Sequence, residues 1–449
     1  MSIISLIKKT EAVSVSQDLG QDADRVDEKP KMTINNPPRN KYRVAALCVY
    51  VFSCGYTDAA PGALLPFIEK YYNINYTLVS LVWMSNAVGF LIVAALASKI
   101  QPLLGKQYSF MFGIFLSAIH FSIVSAGSHF ALTVAAFAFG GAGLAMCLAQ
   151  TNVFLANLEK LTLYLSYTHG AYGLGATISP LLGTLIASHG IPWHFVYLIN
   201  LGQMVISFVL VGLAFQGSEK DLKQFEADSM EDEVSDRSPS SKSTMREAVT
   251  NRITWIFAFL ILFYQGSEVS ISGWCVTYLI DYKGGDINSI GYVALAFWAG
   301  LTFGRLFLTH PSAKYFGVRR SLLVMCFITI VVVVLAWALP TTIAASTFVA
   351  LAGIWIGPLY SYVVGTSVKP GMLPRKIQYT SLTIITAFGS AGGAIFPFII
   401  GLLSEPAGSF VVFPVFLVLY SSIFVLWAAL PNIERNTGGK PMTLWQRLW

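Results

Sequence analysis

Four ionisable side chains stand out inside the long apolar stretches of this sequence. They are Asp58, Glu268, Arg305 and His169. A charged side chain at the centre of a lipid bilayer costs about 2.5–3.5 kcal/mol on insertion scales, so sequences rarely keep one there without a use. Residues of these types in an apolar setting could bind a proton, an ion or the polar groups of a solute.

The two acids are expected at the same depth in the membrane. Asp58 follows Arg43, and Glu268 follows Arg252, by a little more than four helical turns. Both would lie roughly 22–24 Å from the boundary that these basic residues mark, in the outer half of the bilayer. A carboxyl group there can bind and release a proton as its access to water alternates, which is typical of a proton-coupled carrier. The alternative is that either acid caps helix backbone interrupted by a neighbouring proline or glycine.

Arg305 and His169 each allow two interpretations. Arg305 lies in Gly304-Arg-Leu-Phe-Leu308, near the inner end of its apolar segment. A guanidinium there can pair with an acid or with helix C-termini, and we favour this inner-gate latch over contact with a substrate. His169 begins His169-Gly-Ala-Tyr-Gly-Leu-Gly175. We interpret it as a hydrogen-bonded polar residue, the alternative being a proton relay.

Uncharged polar residues supply further candidates for lining a cavity. Gln265 and Ser272 lie three residues before and four residues after Glu268, so all three share one face of a helix. Gln150 and Asn152 lie in an apolar segment of the first half of the chain. The usual role of such residues is hydrogen bonding between helices, so only some of them are expected to meet a solute.

Motifs of soluble enzymes are missing from the sequence. It has no phosphate-binding loop, no His-Glu-x-x-His pair and no Gly-x-Ser-x-Gly turn. The five cysteines fall in apolar stretches at unrelated spacings, which argues against a disulfide framework or a metal site. We therefore expect neither an enzyme nor an ATP-driven pump, and no cofactor. The net charge of +6 comes from basic residues between apolar segments, so nucleic acid is not an expected partner.

The elements that must position these residues are membrane helices. Of the 449 residues, 55% are hydrophobic and 12% are charged, whereas about 25% of the residues in a soluble domain are charged. A helix that crosses a membrane needs about 20 mostly apolar residues. Twelve segments meet this requirement: 42–68, 77–100, 108–126, 130–155, 162–189, 192–214, 252–282, 288–310, 320–339, 341–364, 376–404 and 409–430.

Polar stretches divide the chain into two halves. We expect cytoplasmic tails at 1–41, which is disordered, and at 431–449, with a cytoplasmic linker at 217–251 between bundles 42–216 and 252–430. Glycines and prolines recur between the bundles at nearly constant offsets, for example Gly89 with Gly300, and Gly175-Ala-Thr-Ile-Ser-Pro180 with Gly392-Gly-Ala-Ile-Phe-Pro397. The sequence therefore predicts an all-α polytopic membrane protein whose twelve transmembrane helices form two pseudo-symmetric six-helix bundles.

Lysine and arginine predict the orientation of the chain in the membrane. The loops on the outer side hold only Lys70 and Lys283, whereas the inner loops and the linker are rich in basic residues. Both termini are therefore expected in the cytoplasm, and we expect the protein in the plasma membrane. The sequon Asn75-Tyr76-Thr77 then lies outside, where its closeness to the bilayer disfavours N-glycosylation of Asn75.

Residues 42–430 resemble the major facilitator superfamily, and within it the fucose:proton-symporter-like branch and its fungal relatives. The resemblance is carried by Gly55-Tyr-Thr-Asp-Ala-Ala-Pro-Gly-Ala-Leu-Leu-Pro66, Asn86-Ala-Val-Gly-Phe90, His169-Gly-Ala-Tyr-Gly-Leu-Gly175 and Gly266-Ser-Glu-Val-Ser-Ile-Ser-Gly-Trp274. It implies a rocker-switch mechanism around a cavity lined by helices 1, 4, 7 and 10, in which Asp58 and Glu268 match family acids. Two departures stand out: Gln150 and Asn152 occupy a segment where relatives commonly place an acid, and loop 99–107 lacks the aspartate of the general family motif.

These observations together predict a secondary active transporter that moves a small organic solute by alternating access. Coupling to protons is expected, and efflux of a secondary metabolite is favoured over the alternative, proton-coupled uptake of a sugar or polyol. A remoter alternative is a solute receptor that does not transport. The expected partners are the solute, protons and the lipid bilayer, with the protein acting as a monomer.

Overall fold

The computed structural model of the chain describes residues 32–222, 241–369 and 371–432. These residues form helices and connecting turns, without a β-strand among them. Twelve of the helices are long and apolar enough to cross a membrane. The structure thus confirms the predicted all-α fold and the number of spans. The residues of both predicted tails that lie at 1–31 and 433–449, and linker residues 223–240, are outside the described part of the chain.

The spans are numbered α1 to α12 in chain order. Their bounds are Asn40–Tyr72, Tyr76–Val93, Leu103–Ser125, Phe130–Asn152, Leu163–Ser188, Trp193–Ala214, Arg252–Lys283, Tyr292–Phe316, Val318–Ala338, Thr342–Ser367, Lys376–Ala407 and Ser409–Ala429. A short helix that we call the linker helix, Ser241–Thr250, precedes α7. Span α8 contains a π-helical turn at Gly304–Leu308, and α10 is interrupted between Ile356 and Leu359.

The polar sequence at helix ends explains where several spans begin and end. The side chains of Asn75, Asn251 and Thr341 accept hydrogen bonds from backbone amides in the first turns of α2, α7 and α10, which satisfies donors that a helix leaves unpaired. Gly284 ends α7 in the left-handed conformation that glycine adopts without strain. Gly105, with a φ of 72°, is a non-helical kink near the start of α3.

Matching glycines hold each half together at equivalent helix crossings. A side chain at Gly89 of α2 would overlap the carbonyl group of Ala138 in α4, and one at Gly300 of α8 would overlap that of Ala350 in α10. Gly89 and Gly300 are separated by nearly the same number of residues as Ala138 and Ala350, so the same contact is made in both halves. Small residues allow backbones to approach closely in membranes, where helices cannot rely on the hydrophobic effect to associate.

The same repetition joins the first and fifth helices of each half. Gly175 of α5 packs on the backbone of Phe52 in α1, and Gly392 of α11 packs on the backbone of Leu262 in α7. Gly175 and Gly392 were paired by sequence alone, and the structure places both at the corresponding crossing. The two bundles, α1–α6 and α7–α12, are therefore structural copies.

The segment before α1 differs from the expectation that residues 1–41 are disordered. Met32 is buried, and its carbonyl oxygen accepts a hydrogen bond of 2.9 Å from the backbone amide of Glu159. Helix α1 already begins at Asn40, and buried Arg43 forms an ion pair of 2.6 Å with Asp221, just after α6. Because Met32 is buried and its backbone is bonded to Glu159, the segment that begins at Met32 packs against the first bundle.

The halves meet at close helix crossings. A side chain at Gly62 of α1 would overlap the carbonyl oxygen of Ser272 in α7, and one at Gly401 of α11 would overlap Ser80 of α2. We call the end of the molecule with the starts of α1 and α7 and the linker helix the linker side. The opposite end, with the α1–α2 and α7–α8 turns, is the far side.

Replacing Gly175 with Val is expected to lower the stability of the first bundle. Its side chain would overlap the α1 backbone, and overpacking of this kind costs about 1–3 kcal/mol or more. The thermal unfolding temperature of the purified protein in detergent measures this loss. The matched control is Gly202→Val in α6, where the added side chain would meet nothing within 4 Å. Equal unfolding temperatures for the two variants would contradict the packing role of Gly175.

Candidate functional site

Asp58 lies in the middle of α1. The residue is exposed, whereas Ala59 and Ala60 beside it are each only 1% exposed. The hydroxyl group of Tyr172 in α5 donates a hydrogen bond of 2.9 Å to Asp58 Oδ2. The Tyr172 ring in turn lies 6.3 Å from the ring of Trp298 in α8. Because α8 belongs to the second half, the Asp58 carboxylate lies at the interface between the halves.

Glu268 of α7 has a different environment from Asp58. It is 1% exposed, and Arg305 Nη2 lies 3.1 Å from its Oε1 and 3.0 Å from its Oε2. The same nitrogen donates a hydrogen bond of 3.2 Å to the hydroxyl group of Tyr264. The arginine side chain is 15% exposed. A charge buried this deeply is tolerated only with a close partner, and here the two charges offset each other.

The position of Arg305 differs from the sequence-based expectation. Span α8 continues to Phe316, beyond the expected end at residue 310, so Arg305 lies inside the helix and not near its end. It belongs to the π-helical turn Gly304–Leu308, and Gly304 lets this turn pack against the backbone of Ile354 in α10. Since α7 and α8 are in the same half, the ion pair with Glu268 does not latch one half to the other. The structure thus corrects the position of Arg305 along its helix, and its role at an inner gate stays a prediction.

Asp58 and Glu268 lie at the same depth, as the sequence predicted. The crossing of α1 and α7 is marked by the contact between Gly62 and Ser272, and each acid lies four residues, about one helical turn, before its own crossing residue. The two carboxyl groups are within electrostatic range of each other. We call Asp58, Tyr172, Tyr264, Glu268 and Arg305 the central cluster.

His169 extends the central cluster towards α10. Its ring lies 6.0 Å from that of Tyr360, and the Tyr360 ring lies 6.0 Å from that of Tyr264. The histidine is half-buried and lies within electrostatic range of Arg305. Helices from both halves therefore contribute aromatic rings around the same centre, as expected for a solute-binding cavity between two repeats.

The uncharged polar candidates are dispersed. Gln265 is half-buried and faces Gly393 of α11. Ser272 is buried and donates a hydrogen bond of 3.1 Å to the carbonyl oxygen of Val269 in its own helix. In α4, Gln150 is buried and Asn152 is exposed. Gln265 and Ser272 thus share a helix with Glu268, but the contacts described for them are made elsewhere.

Three residues of the site had no assigned role in the sequence analysis. Tyr172 lies within the His169 motif, Tyr264 precedes Glu268 by one helical turn, and Trp298 lies in α8. The spacing of Tyr264 from Glu268 was a usable signal, because residues four apart share a helix face. Nothing in the sequence links Tyr172 to Asp58, since that hydrogen bond joins helices more than a hundred residues apart.

Asn75, the possible glycosylation site, is occupied by hydrogen bonds. Its Oδ1 accepts a bond of 2.9 Å from the backbone amide of Leu78 at the start of α2. Its Nδ2 donates a bond of 3.1 Å to Glu405 Oε1 in α11. The side chain therefore both caps a helix and connects the two halves on the far side.

Comparison with other proteins gives relatives of similar length. Bypass of stop codon protein 6 of Saccharomyces cerevisiae is 26% identical over 428 residues, which are 89% of this chain and 84% of that protein. The glucose/galactose transporter of Brucella abortus is 21% identical over 401 residues, which are 85% of this chain and 92% of that protein.

Solved structures show the same fold at low sequence identity. The Escherichia coli fucose:proton symporter matches with a TM-score of 0.58 and 15% identity, over 86% of this chain and 97% of that one. An inward-facing bacterial homologue of the human lysosomal transporter Spinster matches with a TM-score of 0.66 and 12% identity, over 87% of this chain and 97% of that one. The family model of the Major Facilitator Superfamily matches residues 47–373. The chain belongs to the Major Facilitator Superfamily.

Proposed function

We propose that this protein is a secondary transporter that moves a small polyhydroxylated solute together with protons, and that Asp58 is the residue that exchanges the proton. The observation that carries the proposal is the contrast between the two central acids. Asp58 is exposed to the space between the halves and bonded to a neutral tyrosine. Glu268 is buried, and its charge is offset by Arg305.

A coupling acid must reach water first from one side of the membrane and then from the other. Asp58 fits this requirement because it lies where the halves separate and come together. Glu268 does not, because binding a proton there would leave Arg305 without its counter-charge in a buried place, which costs several kcal/mol. We therefore assign proton exchange to Asp58, and to the Glu268–Arg305 pair the role of a fixed polar wall of the cavity.

The surroundings of Asp58 suit a solute that has both apolar faces and hydroxyl groups. The rings of Tyr172 and Tyr264 belong to the central cluster, and the rings of Trp298 and Tyr360 lie beside them. Small-molecule sites commonly combine aromatic walls with a few polar groups that fix orientation. The names of two proteins similar to this chain, a glucose/galactose transporter and a fucose:proton symporter, support a sugar-like cargo.

Efflux of a secondary metabolite is a second candidate function. It is favoured by α4, which contributes the uncharged amides Gln150 and Asn152 where relatives of the resembled branch commonly place an acid. A cavity with aromatic walls and one free acid would accept neutral, largely apolar cargo. The two candidates differ in the direction of the solute relative to the proton gradient.

The distribution of basic residues supports a plasma-membrane protein with the linker side facing the cytoplasm. In that orientation, the close contacts between the halves at Gly401 and Asn75 lie on the outer side. We propose that the Asp58 carboxylate is reached from the cytoplasm in this conformation, because these contacts close the outer side. We propose that transport proceeds through the opposite conformation, in which these outer contacts are broken.

Transport by the purified full-length protein in liposomes tests the function. A pH-sensitive dye inside the liposomes should report proton entry when a panel of hexoses and polyols is added outside, and the active solute should accumulate under an inward proton gradient. Accumulation that instead requires an outward gradient would select the efflux candidate. Solute binding without flux would select the receptor, and neither flux nor binding for any sugar or polyol would reject the proposed cargo.

Replacing Tyr172 with Phe is expected to slow transport without unfolding the protein. The change removes the hydrogen bond to Asp58 and keeps the ring, and hydrogen bonds to charged groups contribute about 1.5–3 kcal/mol. We expect the initial rate of solute-driven proton entry to fall by about tenfold or more. Tyr167→Phe is the control, because Tyr167 is exposed on the same helix. Equal rates for both variants would remove the assigned role of Tyr172.

A further inference from the structure

The N-glycosylation sequon Asn75-Tyr76-Thr77 lies where the turn between α1 and α2 ends and α2 begins. Each of its three residues forms a hydrogen bond to the opposite half. Asn75 Nδ2 donates to Glu405 Oε1 over 3.1 Å. The Tyr76 hydroxyl group donates to Asp281 Oδ2 over 2.9 Å. Thr77 Oγ1 donates to the carbonyl oxygen of Gly401 over 3.5 Å. The partners belong to α7 and α11, so a single tripeptide connects the first half to two helices of the second.

The contacts around the sequon are reinforced by packing. Ser409 Oγ donates a further hydrogen bond to Asp281 Oδ2, which holds that carboxylate in place for Tyr76. The Tyr76 ring lies 5.8 Å from the ring of Trp274 in α7. One turn after Tyr76, Ser80 is fully buried against Gly401. Hydrogen bonds, an aromatic contact and a close backbone crossing therefore coincide at this point.

We infer that Asn75-Tyr76-Thr77 is the latch of the far-side gate and is not used as a glycan acceptor. This inference rests on the proposed alternating access, since a gate has meaning only in a carrier with two conformations. In the closed conformation, charge-assisted hydrogen bonds from Asn75 and Tyr76 to two carboxylates stabilise the contact between the halves. Opening the far side requires all of these bonds to break, so their strength sets how often the far side opens.

The geometry of Asn75 explains why a glycan and the closed gate exclude each other. A glycan would be attached to Nδ2, the atom that lies 3.1 Å from Glu405 Oε1. Asn75 and Glu405 are both exposed, and Oδ1 of the same amide caps the first turn of α2, which holds Nδ2 towards Glu405 as long as the cap is kept. Only residues 73–75 separate α1 from α2, so a short turn keeps Asn75 next to Glu405. A sugar on Nδ2 would occupy the place of Glu405.

Labelling of a buried cysteine behind the gate tests the inference without any need for a known solute. The reporter is Ser80→Cys in the full-length protein in nanodiscs, reacted with a polar maleimide and read by mass spectrometry of the peptide that contains residue 80. We expect Tyr76→Phe and Asp281→Asn each to raise the labelling rate by about tenfold, the effect of losing a hydrogen bond to a charged group. Unchanged rates in both variants would overturn the inference.

Tyr71→Phe is the matched control. Tyr71 is also a far-side tyrosine with a bonded hydroxyl group, but its acceptor is the carbonyl oxygen of Gly127, in the same half. Its loss should leave the labelling rate of residue 80 at the parental value. If Tyr71→Phe accelerates labelling as much as Tyr76→Phe does, general loosening of the far side explains the effect, and the assigned latch is wrong.

A second measurement keeps the test valid if Ser80→Cys does not fold. Cysteines at positions 75 and 405 replace one latch bond and leave those of Tyr76 and Thr77, and a short bifunctional thiol reagent should join them in this background because the two positions are in contact. Tyr76→Phe should reduce the yield of this cross-link, whereas Tyr71→Phe should not. Equal yields in the three backgrounds would contradict the gate.

Enzymatic deglycosylation tests the glycan separately. The full-length protein, produced in a eukaryotic host, is expected to show the same electrophoretic mobility before and after treatment with an N-glycosidase, and the same mobility as Thr77→Ala. A shift that Thr77→Ala abolishes, in protein whose residue 80 is still labelled slowly, would show that a glycan and a closed gate coexist. That result overturns the inference and leaves the transport proposal untouched. If the protein does not transport but labelling is accelerated in Tyr76→Phe, the transport proposal fails and the latch assignment stands.

Discussion

Replacing Asp58 with Asn is expected to abolish solute-driven proton movement while the protein remains folded. The carboxylate is exposed between the halves, and its one described hydrogen bond is donated by Tyr172. An amide of the same shape can still accept that bond, but it cannot take up a proton. Proton entry into liposomes on addition of solute should therefore fall to the level of protein-free liposomes, and exchange of labelled solute across the membrane should continue.

Two variants separate coupling from other roles of Asp58. Asp58→Glu keeps a titratable carboxyl group and should retain part of the proton movement, since only the position of the acid changes. Glu159→Gln removes an exposed acid outside the central cluster and should behave as the parent protein does. Solute-driven proton entry in Asp58→Asn at the parental rate would show that another group carries the proton.

Replacing Arg305 with Met while Glu268 stays intact is expected to destabilise the second bundle severely. The change leaves the carboxylate of Glu268, which is 1% exposed, without its partner. Removing one member of a buried ion pair typically costs about 3–5 kcal/mol, because an uncompensated charge stays buried. We expect a large drop in the thermal unfolding temperature in detergent, together with a low yield of folded protein.

The chain contains an exposed ion pair that serves as the control. Lys376 Nζ lies 2.6 Å from Glu247 Oε2, but the side chains are 45% and 42% exposed. Exposed pairs contribute about 0–1 kcal/mol because water screens their attraction. Glu247→Gln should therefore hardly change the unfolding temperature. If Arg305→Met is as stable as Glu247→Gln, the Glu268–Arg305 pair does not have the assigned structural role.

The double variant Arg305→Met with Glu268→Gln distinguishes the two acids. Removing both charges relieves the unpaired carboxylate, and replacement of a whole buried pair is often neutral for stability. We expect it to unfold at a higher temperature than Arg305→Met alone and to keep solute-driven proton movement, because Asp58 is unchanged. A folded double variant without proton movement would assign a direct coupling role to Glu268.

The sequence by itself determined the helices, their number and their pairing into two halves. A span is recognised from the length of an apolar stretch, and this is local information because a helix satisfies its own backbone hydrogen bonds inside lipid. The paired glycines also indicated which helices correspond between the halves, because Gly175 and Gly392 lie at equivalent crossings in the structure. The equal depth of Asp58 and Glu268 also followed from counting turns along two similar helices.

Only the tertiary structure showed which partner each acid has. Counting residues fixes the height of a side chain on a helix, but not which neighbouring helix it faces, because the rotation of a helix is set by packing against distant segments. Two acids at one depth thus have different partners: Tyr172 from α5 bonds to Asp58, and Arg305 from α8 pairs with Glu268. The partner of Asn75 is also invisible in the sequence, since Glu405 lies 330 residues further along the chain and meets it only through packing of the two halves.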